Sequence, residues 1–403
     1  MDRWWRVDVY GDTELMIYTL LNIGVVVTAF IWAHGQADPA RAPKMAWAVV
    51  FALIISLVAI HGGRLKAFKN RWALIMVAFA FLAYYLTPCP DLKMFGIESG
   101  RFWSWEPIFY IVIFMLFMVT VSSLKFSQKQ LNNLLDTMMY CGLAMGILVS
   151  LQSVHLDQFF EHRFGTYGHM AGTLGNPTLI GPYLGIIIPI TLFRRKWWMA
   201  AVMVYATIAT SSNVAIGSLC MAGLFFIATK SKKWLITTAI ATLLIGGVVV
   251  CLYATTPRFR EVCPDNQRFT TWTQAITDLN SPPMKDSKKK YVMTGLGAGS
   301  FMYLFHAKNN IRPGESMFVY AHNDFVQVLY EFGIFGLFIF LMSIWYVFKK
   351  EFSRVMTMYR RVLLTSMFWL LVSALGIFSL QIGTTLFYGI IIAGLLQNEG
   401  TNA

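Results

Sequence analysis

The sequence predicts an all-α polytopic membrane protein, and three observations carry that prediction. Hydrophobic residues make up 57% of the 403 positions and charged residues only 13%, whereas a soluble globular chain carries roughly a quarter charged residues; mean hydropathy is +0.56. Apolar runs recur from end to end, at 15–32, 46–60 and 234–253 for example. Each approaches the roughly 20 residues that cross about 30 Å of hydrocarbon as a helix. Third, lysine and arginine rise and fall in density between successive connections. The short alternating segments of a membrane β-barrel are not seen.

About twelve spans are expected, centred on 14–33, 45–61, 72–87, 108–123, 134–152, 178–193, 197–211, 213–229, 234–255, 325–348, 362–379 and 383–397. The opening MDRWWRVDVYGDTE mixes acids with bases and precedes an apolar run of anchor length, so it reads as retained and not as a cleaved signal. Trp4 and Trp5 beside Arg3 and Arg6 suit a membrane interface. The seventh and eighth spans nearly touch through Ser211, Ser212 and Asn213, which predicts a tight hairpin. With both termini in the cytoplasm, the inside connections hold nineteen lysines and arginines and the short outside loops five, Arg41, Lys44, Lys93, Arg101 and Arg163. The other nine lie in 256–320, and long loops are exempt from the positive-inside rule. The net charge of +13 is therefore largely topology and points to no nucleic-acid partner. Three units follow: a membrane bundle over 1–255, a large external loop over 256–320, and membrane helices over 321–403.

Cys89 and Cys263 lie in predicted external loops, each followed by proline, and two readings stand: a disulfide in an oxidising compartment, or two free thiols. Cys141, Cys220 and Cys251 read as packing residues.

The candidate chemistry starts with AHNDFVQVLYEFGIFG, residues 321–336. In a helix beginning near Asn323, the side chains of Asn323, Asp324, Gln327 and Glu331 fall within about 100° of arc. Lipid rejects such a stripe, so it must face protein or a water-filled cavity. His322 stands at or before the helix start, where an imidazole can accept a proton near neutral pH. The competing reading is a helix cap by Asn323 or Asp324, with His322 a bystander. In NQRFTTWTQAITDL, residues 266–279, Arg268, Trp272 and Ala275 share one helical face. The arginine fork fits phosphate oxygens, and equally a lipid headgroup or a surface ion pair. MTGLGAGSF, residues 293–301, lacks Walker A spacing and reads as a close-packed turn. Upstream, Lys285, Lys288, Lys289 and Lys290 form a solvated basic loop face or a surface for anionic lipid. In GHMAGTLGNPTLIGPYLG, residues 168–185, Gly-Asn-Pro and Gly181-Pro182 predict a kinked sixth span or one that begins as a broken helix, with Arg163 and His169 flanking it outside. No metal-ligand spacing occurs, so neither a metal nor another cofactor is expected.

Taken in chain order, GTLGNPTLIGPYL, RFTTWTQAI, GLGAGSF and HNDFVQVLYEFGIFG resemble the motifs of the O-antigen ligase and O-antigen polymerase superfamily, bacterial envelope glycosyltransferases, with the ligases the nearer likeness. The motifs cover roughly 172–184 and 268–336, and the span layout extends the likeness over most of the chain. The resemblance implies a GT-C-type architecture with a large periplasmic loop in the bacterial inner membrane. It implies a polyprenyl-diphosphate-linked glycan as donor and, for a ligase, a lipid A–core hydroxyl as acceptor. Polymerases use another lipid-linked repeat, and related members glycosylate proteins. Family chemistry is metal-independent, and its histidine and loop arginine correspond here to His322 and Arg268. Asn176 and Trp272 fall within the likeness as further contacts for the lipid-linked glycan. Two departures stand out. Where the family often has an arginine three residues before Gly-Thr, this chain has His169, and where it often has Ser-Arg it reads Ser212-Asn213. Either Arg163 or Arg312 supplies the missing cations, or the chain is a divergent member with altered activity. Outside the superfamily, the rival readings are a transporter or flippase for lipid-linked glycans and a non-enzymatic scaffold for envelope assembly, although no internal repeat relates the two halves.

Overall fold

The computed structural model describes residues 9–31, 41–65, 71, 74–79, 102–156, 170–231, 266–280, 291–297, 299–301, 305, 321–354 and 356–398. Among them every regular element is helical. In chain order these are α1 (Val9–Phe30), α2 (Arg41–His61), α3 (Phe102–Ser123), α4 (Gln128–Ser153), α5 (Pro177–Phe193), α6 (Trp197–Ala209), α7 (Asn213–Ala228), α8 (Asn266–Asn280), α9 (Asp324–Phe352), α10 (Met358–Ala374) and α11 (Gly383–Gln397), with a 3₁₀ turn at Ser379–Gln381. The stretches Thr13–Phe30, Pro43–His61, Gln128–Ser153 and Asp324–Phe352 are long and apolar enough to cross a membrane, and five shorter apolar helices accompany them. The molecule is a multi-pass helical membrane protein. The expected third and ninth spans, and both cysteines of the disulfide question, lie wholly or mostly outside the described residues.

The bundle is built around its least polar helices. Helix α5 is buried from Leu179 to Thr191 and α11 along nearly all its length, as expected of helices apolar all round. Helix α10 lies against α5 and α7, while α11 contacts α2, α3 and α10. Gly185 permits the tightest approach: a Cβ there would strike the Trp369 ring of α10. Two smaller clusters stand apart from this core. One joins Ala275 and Leu279 of α8, Tyr291, Leu296, Phe301 and Phe305 to Ala321, just ahead of α9, and to Tyr330 within it. The other packs Met76 and Phe79 against Phe332, Ile339 and Phe340. Helix α9 therefore enters the main core only near its far end, through Val347 and Phe348.

The interruption expected in the sixth span is confined to its lead-in. Helix α5 runs as one element through Pro182 and Pro189, capped by Asn176, whose Oδ1 accepts from the Thr178 amide at 2.9 Å. The irregular backbone lies at 170–176, where Met170, Gly172 and Gly175 have positive φ. The broken helix is α9, at Gly333, with φ 66° and ψ −170°. Proline removes a donor but keeps a helical φ, whereas a left-handed residue turns the chain out of the helix altogether. Cys220 also differs from expectation: it is exposed on α7, while Cys141 is buried as predicted.

Hydrogen bonds sort the helix ends into two groups. The end of α1, the starts of α2, α5, α7, α9 and α11, and the end of α10 gather at one side of the bundle. The ends of α3, α5, α9 and α11 and the starts of α4 and α10 gather at the other. Most described lysines and arginines belong to this second, basic end.

Candidate polar site at the α10–α11 connection

Residues 375–382, which join α10 to α11, receive side chains from three directions. Arg268 in the first turn of α8 donates from Nη1 to the Gly376 carbonyl at 2.9 Å. The His322 ring meets Phe378 edge to face, with 4.9 Å between centroids. Asp324 accepts from the Leu380 amide at 2.9 Å, from Gln381 Nε2 at 3.2 Å and from the Ser379 amide. Arginine and histidine, 54 positions apart in sequence, thus address residues two apart in one short connection.

The segment carrying His322 is held from both sides. One turn beyond Arg268 on the same face of α8, Trp272 donates its indole N–H to the Ala321 carbonyl at 2.6 Å. The Ala321 amide points to Gln327 Oε1 at 3.4 Å. Asn323 then caps α9, its Oδ1 accepting from the Phe325 and Val326 amides at 3.0 and 3.1 Å. Between these anchors His322 sits half-buried at φ 51°, a left-handed conformation that costs a non-glycine residue free energy. Asn323 is therefore the helix cap of the competing sequence reading, and His322 is the residue immediately before that cap, its ring against Phe378.

The remaining stripe is buried and bonded internally. Gln327 Nε2 donates to Glu331 Oε1 at 3.1 Å, and the Glu331 carboxylate takes the amides of Gly299 and Phe301. The glycine-rich turn lies in the break of α9. The amides of Leu296 and Gly297 donate to the Tyr330 and Glu331 carbonyls, both at 2.9 Å. Past the break, the Ile334 and Phe335 amides donate to Val292 and Met293 carbonyls at 2.9 and 3.2 Å. Two carbonyls before the break and two amides after it are thereby paired with the chain's own backbone, as irregular backbone at membrane depth requires. Gly295 and Gly333 make this interlock sterically feasible: a Cβ on either would collide with the other segment's backbone. The close-packed turn expected at 293–301 is a backbone splint.

On the far side of the connection lies a group the sequence reading counted only as an outside-loop charge. Lys44 is fully buried in the first turn of α2, donating from Nζ to the Ala29 and Ile31 carbonyls at 2.7 and 2.9 Å. The Thr173 hydroxyl, 3.5 Å from the same nitrogen, also donates to Ala29 O. Gln152 Oε1 fixes the adjoining Gly172 amide at 2.8 Å. The Gly-Thr segment is thus tied to the ends of α1 and α4. A lysine at the head of an apolar run was the available signal. Asn176 is half-buried and engaged with Thr178, while Arg163, His169 and Arg312 lie outside the described residues. No group of three or more His, Cys, Asp or Glu side chains is arranged to hold a metal among the described residues.

These observations define a class: a multi-pass helical membrane protein with an imidazole and a guanidinium gathered at one end of its bundle. No protein-family model matches the chain, and no curated protein matches it.

Proposed function

We propose that the chain is a membrane glycosyltransferase moving a glycan from a polyprenyl-diphosphate carrier to an acceptor hydroxyl, in the manner of an O-antigen ligase. The observation that supports this reading most is the shared anchor of Arg268 and His322 on Gly376 and Phe378. Donors of this class already carry a good leaving group, so catalysis needs charge stabilisation and a delivered nucleophile. His322 accepts the proton of the acceptor hydroxyl as its oxygen bonds the anomeric carbon. The anomeric carbon–oxygen bond to phosphate breaks, and the diphosphate leaves with the electron pair. Arg268, with Arg163 or Arg312, neutralises that departing charge by preorganised electrostatics. Asp324 and Glu331 serve as scaffold, since their oxygens are engaged by the 379–381 turn and by the splint. The reading carries with it the GT-C architecture, about twelve spans, cytoplasmic termini and a site open to the periplasm of a bacterial inner membrane.

A carrier for lipid-linked glycans is the rival. Carriers use broken helices to present free backbone groups to cargo, and the break in α9 is filled by the chain's own backbone. Purified protein incubated with a polyprenyl-diphosphate glycan and a glycolipid acceptor is expected to yield a covalent product. His322→Ala should lower the transfer rate by roughly 10²-fold or more, the typical scale for a general base. A monodisperse, membrane-inserted His322→Ala protein with undiminished transfer would remove the imidazole from the reaction. Absence of any product across glycan acceptors would sink the transferase reading.

A further inference from the structure

At the basic end several cations are engaged within the fold. Arg194 forms a two-point ion pair with Asp136, both contacts at 2.9 Å, and reaches Asn132 at 3.1 Å. Arg64 pairs with Glu14, Arg354 with Glu351, and Lys350 donates to the Gln397 carbonyl. Three cations of one neighbourhood are not spent. Arg195 and Lys196, in the turn between α5 and α6, are exposed, as is Lys129 on the first turn of α4. None of the three has an ion-pair partner among the described residues. Lys129, Asn132 and Asp136 follow helical spacing along one face of α4, the face that Arg194 grips. The Arg194 bracket brings that face of α4 to the α5–α6 turn, with Lys129 on the same face about one turn before Asn132. Two indoles complete the patch, Trp197 at 66% and Trp198 at 59% exposed. The turn joins the ends of two apolar helices, so it stands at the boundary between hydrocarbon and water, where indoles and cations settle together.

We propose that Lys129, Arg195, Lys196, Trp197 and Trp198 form a binding surface for the headgroup of an anionic phospholipid. The cations take the phosphate and the indoles lie along the glycerol and upper acyl region. Lipid is the occupant that uses both halves of the patch: the charge suits an anion, and exposed indoles next to that charge at the end of apolar helices suit an amphiphile at the membrane interface. The site lies at the opposite end of the bundle from His322 and is independent of the proposed transfer reaction.

Native mass spectrometry of the purified full chain, offered phosphatidylglycerol and phosphatidylcholine in equal amounts, tests the proposal. The wild type should retain phosphatidylglycerol in preference, and the preference should fall as salt rises. The double variant Arg195→Gln/Lys196→Gln leaves the Arg194–Asp136 pair intact and should lose roughly tenfold or more of that preference. Trp197→Ala/Trp198→Ala should weaken retention of both lipids alike. An undiminished phosphatidylglycerol preference in a folded, monodisperse charge variant overturns the proposal. So does displacement of the lipid by millimolar inorganic phosphate, which would mark a plain anion site.

Discussion

Asp324 shows how one buried carboxylate can hold two helices in register. Its oxygens gather amides from 379–381, so the start of α9 and the start of α11 share one anchor. Asp324→Asn keeps the shape but replaces charge-assisted acceptors with a weaker one and turns a donor toward amides. A loss of about 1–3 kcal/mol in stability is expected, measured by thermal unfolding in detergent; under the proposed function, transfer would fall as well. Gly333→Ala is expected to be harsher, because its Cβ meets backbone of the splint and its φ is positive. Destabilisation above roughly 2 kcal/mol follows, visible as lost monodispersity on size exclusion. Unchanged unfolding of that variant would mean that the break closes without its splint.

At the scale of elements, legibility in the sequence followed the physics of each signal. Helices α2, α5, α6, α7 and α11 lie within a few residues of their expected bounds, because long apolar runs bounded by polar caps specify a membrane helix directly. The irregularity expected around α5 lies in its lead-in at 170–176, and a second break, in α9, was not expected. Gly-Asn-Pro and two internal prolines mark α5 as irregular, yet the residues that truly interrupt a helix sit in FGIFG. There glycine resembles ordinary small-residue packing. Only the splint from 291–297 demands positive φ at Gly333, and contacts between distant segments leave no local trace. The polar stripe of α9 was legible by periodicity, but its partners were not: Gln381, Phe378 and Gly376 carry no pattern that announces a shared neighbourhood. Lys44 was legible as a charge and illegible as a buried tie, since the carbonyls it bonds belong to α1.

For the whole molecule, the two ends use charge in opposite ways. The basic end spends arginine and lysine on ion pairs and helix ends, while the site end buries one lysine as a bracket between α1, α2 and the Gly-Thr segment. Lys44→Met keeps the volume and removes the ammonium donor from the Ile31 carbonyl, while the Ala29 carbonyl keeps the Thr173 hydroxyl. About 1–3 kcal/mol per orphaned carbonyl is the expected scale, read as a lower unfolding temperature in detergent. A Lys44→Met protein as stable as wild type would show the bracket to be dispensable.

The mended break in α9 also bears on how the chain is made. A helix that cannot satisfy its own backbone at Gly333 must wait for a strip of polypeptide translated before it to come alongside. The placement of that earlier strip and the seating of α9 in the bundle are then a single assembly event. Cutting the connection between them, even outside the site, would leave a span that the membrane has reason to reject.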